Sequence, residues 1–480
     1  MLPFLPKASN WAFETVPQKG LNGRTGFQPR GKGLGGSSAV NAMLYVRGCA
    51  WDYDNWAALG ATGWGYKDVL PVFRRAEGNV RGADAYHGGD GPLSVSDQLW
   101  PNPGSVDFVE AGTELQLPRN ADFNGKQFEG VGLYQVTQRG GERWTAARAY
   151  VLPQKAAGRL HVETGALVEK ILIENGRATG VRIRQGSKTR TLRARRAVIL
   201  SGGAFGTPQT LMLSGIGPGA HLKDKGVEVL VDRPAVGADL QDHIDYVAGF
   251  ETGGDVFNGT TLSASIRFLK SVFEWRSKRT GTLTTPYAEA GGFAKTRPDV
   301  AVPDVQLHFV PAILEDHGRQ SVRGVGYSIH VCVLRPESRG TVRLARNDAR
   351  AAPLIDPNFL ADDRDMEVMK AGVRLVHRIN AAPSLAKHGG RDRHATPLGD
   401  DTALEQIIRN RADTVYHPVG TARMGSDDAA VCDPRLRVRG VEGLYIADAS
   451  VMPRLVSGNT NAPSIMIGER CADFVRADLG

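Results

Sequence analysis

The sequence has 480 residues, a formal charge of +8 and 58 glycines scattered without a period, which suits two globular domains and excludes collagen-like or low-complexity chains. Its cations are dispersed: the densest group, Lys188, Arg190, Arg193, Arg195 and Arg196, alternates with Thr, Leu and Ala like the solvent face of a strand, so nucleic acid is not an expected partner. The cysteines Cys49, Cys332, Cys432 and Cys471 form no CxxC pair, which argues against a disulfide framework or a metal site.

The N-terminus, Met1-Leu-Pro-Phe-Leu-Pro, lacks the basic and apolar regions of a leader, and the first thirty residues carry no strand or helix period. No apolar run approaches the roughly 20 residues that span a bilayer. A cytoplasmic location is expected, with weak attraction to an anionic membrane surface left open. Gly31, Gly33 and Gly36 spell a literal GxGxxG, but Pro29 and the absence of an apolar strand before it argue against a dinucleotide fingerprint. The stretch reads instead as a Gly-rich loop, Gly35-Gly36-Ser37-Ser38, entering a helix over 39–43, whose N-terminus can approach a cofactor closely.

Val168–Glu174 and Ala178–Arg184 read as a hairpin about Asn175-Gly176, followed by Thr189–Arg193. Ala197–Leu200 reads as a buried strand running into Ser201-Gly202-Gly203 and a helix over 207–214. Residues 245–400 suggest a mixed sheet with covering helices. Within them Met366, Met369, Val373, Val376 and Ile379 have the spacing of a helix facing the core. His388 and His394 read as a surface pair, and His243 as a residue that orients a loop.

Gly33-Leu-Gly-Gly-Ser-Ser-Ala-Val-Asn-Ala-Met-Leu-Tyr-Val-Arg-Gly48 and Gly203-Ala-Phe-Gly-Thr-Pro-Gln-Thr-Leu-Met-Leu-Ser-Gly-Ile-Gly217 resemble the two signatures of the glucose–methanol–choline (GMC) oxidoreductases. Tyr416-His-Pro-Val-Gly-Thr-Ala-Arg-Met-Gly425 and Asn459-Thr-Asn-Ala-Pro-Ser-Ile-Met-Ile-Gly-Glu469 resemble that family's active-site segments. Shorter matches lie in order between them, among them Leu240-Gln-Asp-His243 and Glu289-Ala-Gly-Gly-Phe293. The chain is most similar to the choline-dehydrogenase-like branch, which includes alcohol dehydrogenases of alkane oxidation. The family's opening strand, GxGxxG and helix have no counterpart here, so an N-terminally truncated chain is expected.

The resemblance implies an α/β fold with an α+β substrate part. A Rossmann-like FAD domain lacking its first βαβ unit is expected over 1–244, an antiparallel-sheet substrate domain over 245–412, and a return to the FAD domain, carrying the active site, over 413–480. It implies FAD held non-covalently, since Val40 stands where some members carry the histidine that attaches the flavin. The expected cofactor contacts are Gly36 and Ser37, the stretch Asn41, Ala42, Met43 and Leu44 at the isoalloxazine, and Val168 at the adenine. Asp448 and Ala449 are expected at the ribityl phosphate, and Asn459 in the segment that returns to the flavin.

The implied base is His417, a residue type suited to proton transfer near neutral pH. Asn461 is its implied partner, donating a hydrogen bond to the substrate oxygen. The implied reaction oxidises a primary alcohol to an aldehyde and passes electrons to a quinone or another non-oxygen acceptor. An O2-using oxidase, a lyase on the same scaffold and a non-catalytic remnant unable to hold FAD are the alternatives. Glu289 reads as structural rather than as an anchor for a cationic substrate.

Overall fold

The structure, a computed structural model, describes residues 8–320 and 322–480; Met1–Pro6, read above for a leader, lie outside the described residues. The opening stretch holds one antiparallel pair, Phe13–Glu14 with Phe27–Gln28. The Gly-rich loop departs from expectation. Gly35 and Gly36 take φ values of 88° and 53°, and in place of a helix over 39–43 there is one 3-10 turn, Gly36–Ala39. Asn41 Oδ1 then accepts the Met43 N–H at 3.0 Å, and Met43 has a φ of 65°. A local side-chain bond has won over helix continuation.

Helices α1 (Ala50–Ala58) and α2 (Tyr66–Ala76) bury Tyr53, Trp56, Val69 and Phe73. Beside them Arg47 and Glu77 form an ion pair out of reach of solvent, and His87 bridges Glu77 and Asp122 at 3.1 and 3.0 Å. Burial opposes a charge on His87, but the two carboxylates outweigh it and push its pKa up to about 9. Helix α3 (Pro103–Glu114) and strand β1 (Gly130–Leu133) follow.

Strands β2 (Leu167–Glu174), β3 (Arg177–Gln185) and β4 (Lys188–Arg193) form an antiparallel meander. Its first turn places Asn175 and Gly176 at φ 51° and 74°, the positive pair that a tight hairpin needs. Strand β5 (Val198–Leu200) runs into helix α4 (Gly203–Leu213). Val198 and Leu200 are buried as read, but Ile199 is 48% exposed: alternate side chains point to opposite faces, and its face borders a cavity.

The second half contains strand β6 (Ile244–Thr252), helix α5 (Leu262–Lys278) and strands β7 (Ala290–Ala294), β8 (Val305–Val310) and β9 (Val325–Val333). They form an antiparallel sheet in the order β6-β9-β8-β7-β1, extended at β6 by Arg391–Asp392 and Asp413–Thr414. Helix α6 (Asp363–Ala381) lies on this sheet and buries Met366, Met369, Val373, Val376 and Ile379. Each such side chain contributes roughly 1.5–3 kcal/mol on leaving water. Helix α3 and strand β1 share this core although the expected division puts them with residues 1–244. A Cβ on Gly112 of α3 would meet Val131 at 2.8 Å, so the helix rests directly on β1.

After helix α7 (Asp401–Arg411) the chain returns to strand β10 (Leu444–Ile446), which pairs in parallel with β5, and ends in helix α8 (Asn461–Leu479). Among the described residues no helix is long and apolar enough to cross a membrane.

Candidate active site

A cavity of about 2170 Å³ is walled by the Gly-rich loop, β2, β5, the N-terminus of α4, β8, residues 415–418 and 447–449, and the start of α8. Gly36, Ser37, Asn41, Ala42, Met43, Leu44, Val168, His417, Asp448, Ala449, Asn459 and Asn461 all border it. These residues are spread from 36 to 461, so the fold has brought distant segments to one surface.

His417 is held at its backbone and at both ring nitrogens. Asp242, itself fully buried, accepts the His417 backbone N–H at 2.8 Å and the Thr414 hydroxyl at 2.5 Å. The preceding residue, Tyr416, takes a φ of 74°, a conformation that non-glycine residues adopt only under constraint. Arg30 supplies part of that constraint by donating to the Tyr416 carbonyl at 2.9 Å. Burial first, and then His243, His308 and Arg30, hold the His417 imidazole well below its ordinary pKa. It is therefore neutral at neutral pH, rather than poised there as its residue type suggests.

Hydrogen-bond polarity fixes which nitrogen carries the proton. His243 Nε2 lies 3.1 Å from the Leu334 carbonyl and must donate to it. Burial pushes the His243 pKa down to about 3, so its other nitrogen, Nδ1, is an acceptor. His417 Nδ1 lies 2.9 Å from that acceptor and carries the hydrogen. The lone pair of His417 is consequently on Nε2.

The opposite side leads to the same assignment. Tyr134 donates its hydroxyl to the Leu307 carbonyl at 2.7 Å and accepts from Gln306 Nε2 at 3.2 Å. Gln306 Nε2 also donates to Asn459 Oδ1 at 3.2 Å, and Asn459 Nδ2 donates to His417 Nε2 at 3.2 Å. Two backbone carbonyls thus anchor a chain of side chains whose only consistent polarity leaves His417 Nε2 unprotonated.

Both asparagines expected at the site border the cavity: Asn459 donates to His417 Nε2 at 3.2 Å, and Asn461 is the first residue of α8. His388 and His394 are not a pair: His388 meets Asp107 at 2.8 Å and His394 meets Glu315 at 2.9 Å. Glu289 accepts from Ser105 and the Asn102 N–H, at 2.7 and 2.6 Å, and is structural.

The part of the cavity walled by the Gly-rich loop, α4 and α8 has the character of a nucleotide site. Cβ atoms added to Gly33, Gly36, Gly203 or Gly206 would meet nothing within 4 Å, so backbone there lies open to a ligand. Asp448 fastens the N-terminus of α4 by accepting from the Gly203 N–H and the Thr207 hydroxyl at 2.9 and 2.6 Å. Both α4 and α8 turn their N-termini to the cavity, which favours negative charge there. Arg143, on the same wall, donates to Asn41 at 2.8 Å and has no ion pair among the described residues. Burial lowers its pKa to about 10.

Family models described as GMC oxidoreductase match residues 11–245 and 336–468. The alcohol dehydrogenase (acceptor) of Pseudomonas putida is 45% identical over 473 residues, covering 98% of this chain and 86% of that one. The mitochondrial choline dehydrogenase of Homo sapiens is 41% identical, covering 97% and 79%. Among solved structures, pyridoxine 4-oxidase from Mesorbium loti superposes with a TM-score of 0.85 at 28% identity, covering 98% and 88%. A variant of formate oxidase from Aspergillus oryzae gives 0.90 at 25%, with the same coverage. The chain belongs to the GMC oxidoreductases.

FAD is the cofactor of this GMC oxidoreductase, and a CH–OH group is its electron donor. The residues present fit FAD: open glycine backbone, two helix N-termini and the unpaired Arg143 suit a diphosphate-bearing cofactor, and Val40 on the wall offers no atom for covalent attachment. Tyr134, Gln306 and Arg143 lie in no recognisable motif and were not legible beforehand. His243 did stand within Leu240-Gln-Asp-His243, but its contact with His417 spans 174 residues.

Proposed function

We propose that His417 is the base, and Asn459 the hydrogen-bond donor, in the oxidation of a primary alcohol to an aldehyde. Bound FAD supplies the hydride acceptor, its N5. His417 Nε2 takes the hydroxyl proton as hydride leaves the adjoining carbon, which needs an unprotonated nitrogen at working pH. Asn459 Nδ2 donates to the same oxygen as negative charge develops on it, without titrating itself. Asn461, together with Asn41, Met43 and Ala449, keeps the cofactor in register, and Val168 lies at the adenine end. The observation that carries this reading is the continuous hydrogen-bond chain that leaves His417 Nε2 as an acceptor.

The substrate we infer is a neutral, apolar alcohol. Met43, Ala288, Val310 and Leu314 form one apolar cluster with Val415, two residues before the base, and all five border the cavity. The acceptor we infer is a quinone, in keeping with a relative named as an alcohol dehydrogenase (acceptor). A second reading, transfer to O2, is favoured by relatives described as oxygen-dependent choline dehydrogenases.

The test is anaerobic addition of medium-chain alcohols to the FAD-loaded protein. Bleaching of the flavin, followed by return of colour on adding a water-soluble quinone, is the expected result. Failure of every primary alcohol to bleach it would overturn the reading. Stoichiometric peroxide on admitting air would favour the oxidase.

A further inference from the structure

Helix α5 is built inside out. Several large apolar side chains face solvent: Ile266, Leu269 and Phe273 are 48%, 59% and 73% exposed, and Phe268, about 100° round the helix from Leu269, is 59% exposed. Positions 266, 269 and 273 lie on one stripe of a helix, the spacing that elsewhere marks the face turned to a core. What faces inward is less apolar. Trp275 is the main anchor, donating its indole N–H to the Gly141 carbonyl at 2.9 Å, with the Arg279 guanidinium 4.2 Å from its ring centre.

The charge around this stripe has one sign. Residues 266–279 contain five cations, Arg267, Lys270, Arg276, Lys278 and Arg279, against one acid, Glu274. The surplus, five minus one, is half of the chain's formal +8. Arg267 and Arg279 are engaged with Asp255 and Glu142 at 2.6 and 3.0 Å. Lys270, Arg276 and Lys278 are exposed, with no ion pair among the described residues. On the helix, Lys270 and Arg276 flank the apolar stripe on either side.

The helix is also joined to the cavity wall by a short connection. Residues 279–284 lead from it to Thr285, Pro286 and Tyr287, which border the cavity. Glu142, its ion-pair partner, precedes the cavity residue Arg143.

We propose that the exposed face of α5 docks on an anionic lipid surface and holds the cavity mouth against it. A stripe of Phe, Leu and Ile bordered by unpaired cations is complementary to apolar chains beneath anionic headgroups. An acidic protein groove would not need four large apolar groups in the open, and a second copy would bring the same cations against each other. Docked in this way, the enzyme takes an apolar alcohol and a quinone from the phase in which both concentrate. This deepens the acceptor reading above, but it is tested without turnover.

The FAD-loaded full chain is sedimented with vesicles of phosphatidylcholine alone and of phosphatidylcholine mixed with phosphatidylglycerol. Binding to the mixed vesicles, weakened by salt, is expected. Leu269→Ser combined with Phe273→Ser should abolish it. Lys270→Gln combined with Arg276→Gln should weaken it on the order of twenty-fold, about fivefold per cation removed. These side chains are exposed, so flavin content and turnover with a soluble acceptor should match the parent. Three results overturn the proposal: no binding to the mixed vesicles, binding that survives both double substitutions, or a dimer that Leu269→Ser with Phe273→Ser converts to monomer.

Discussion

Replacing His243 by leucine should slow flavin reduction without changing the residues that meet the substrate. His243 is fully buried and gives the His417 Nδ1–H its acceptor at 2.9 Å. Leucine leaves that N–H unpaired in a dry site, which costs about 1–3 kcal/mol. Either the ring keeps its orientation at that cost, or the proton moves to Nε2 and the base is lost. At about 1.4 kcal/mol per factor of ten, the reduction rate should fall roughly five- to 150-fold. His243→Asn, whose amide oxygen can accept the same bond, should recover most of the rate. The assay is stopped-flow bleaching of the flavin by a saturating alcohol without air, with flavin content and thermal unfolding as controls on folding. Reduction at the parent rate in His243→Leu, or equal slowing in both variants, would refute the reasoning.

The two asparagines separate in the same assay: Asn459→Ala should lose roughly 100- to 1000-fold in kcat, the usual cost of removing a donor to a developing oxyanion. Asn461→Ala should lose less than tenfold, and the reverse order would restore the assignment made from sequence. The pH profile of kcat/KM should carry no His417 limb near the ordinary histidine value of 6.5, because burial above all, and then the neighbouring His243, His308 and Arg30, hold this group well below it. Activity is lost on protonation, so the fall should come on acidification below that value; a limb at or above 6.5 would contradict it. His87 works in the opposite sense. Its folded pKa is raised to about 9 from 6.5, so its contribution is complete below pH 6.5 and lost as pH rises through 9. That contribution is on the order of 3 kcal/mol. Urea midpoints should fall over this window in the parent and stay level in His87→Gln.

What could be read from the sequence was what local pattern controls. The helix bearing Met366 to Ile379 and the turn at Asn175-Gly176 follow from periodicity and from positive-φ chemistry within a few residues. The Gly-rich loop was located but given a helix it does not have, because the Asn41 bond to the Met43 N–H competes over a span that helix patterning ignores. The contact of Asn459 with the base was not legible for a related reason: which asparagine of Asn459-Thr-Asn461 meets His417 depends on where α8 begins, and helix starts are poorly marked when no side chain caps them. His243, Gln306 and Tyr134 were not legible as a unit, since strand register alone brings them together. Gln306 stands opposite Cys332 on β8 and β9, a pairing that no motif encodes. The exposed stripe on α5 escaped for the opposite reason: periodicity shows a stripe but not whether it faces core or solvent.

The most direct measurement is anaerobic flavin reduction in His417→Ala. The variant should retain FAD, since the open glycine backbone and the α4 and α8 termini that fit the cofactor are left intact, and should be bleached by alcohol at least a hundredfold more slowly than the parent. Bleaching at the parent rate by a flavin-loaded His417→Ala protein would show that the proton leaves by another route and that His417 is not the base.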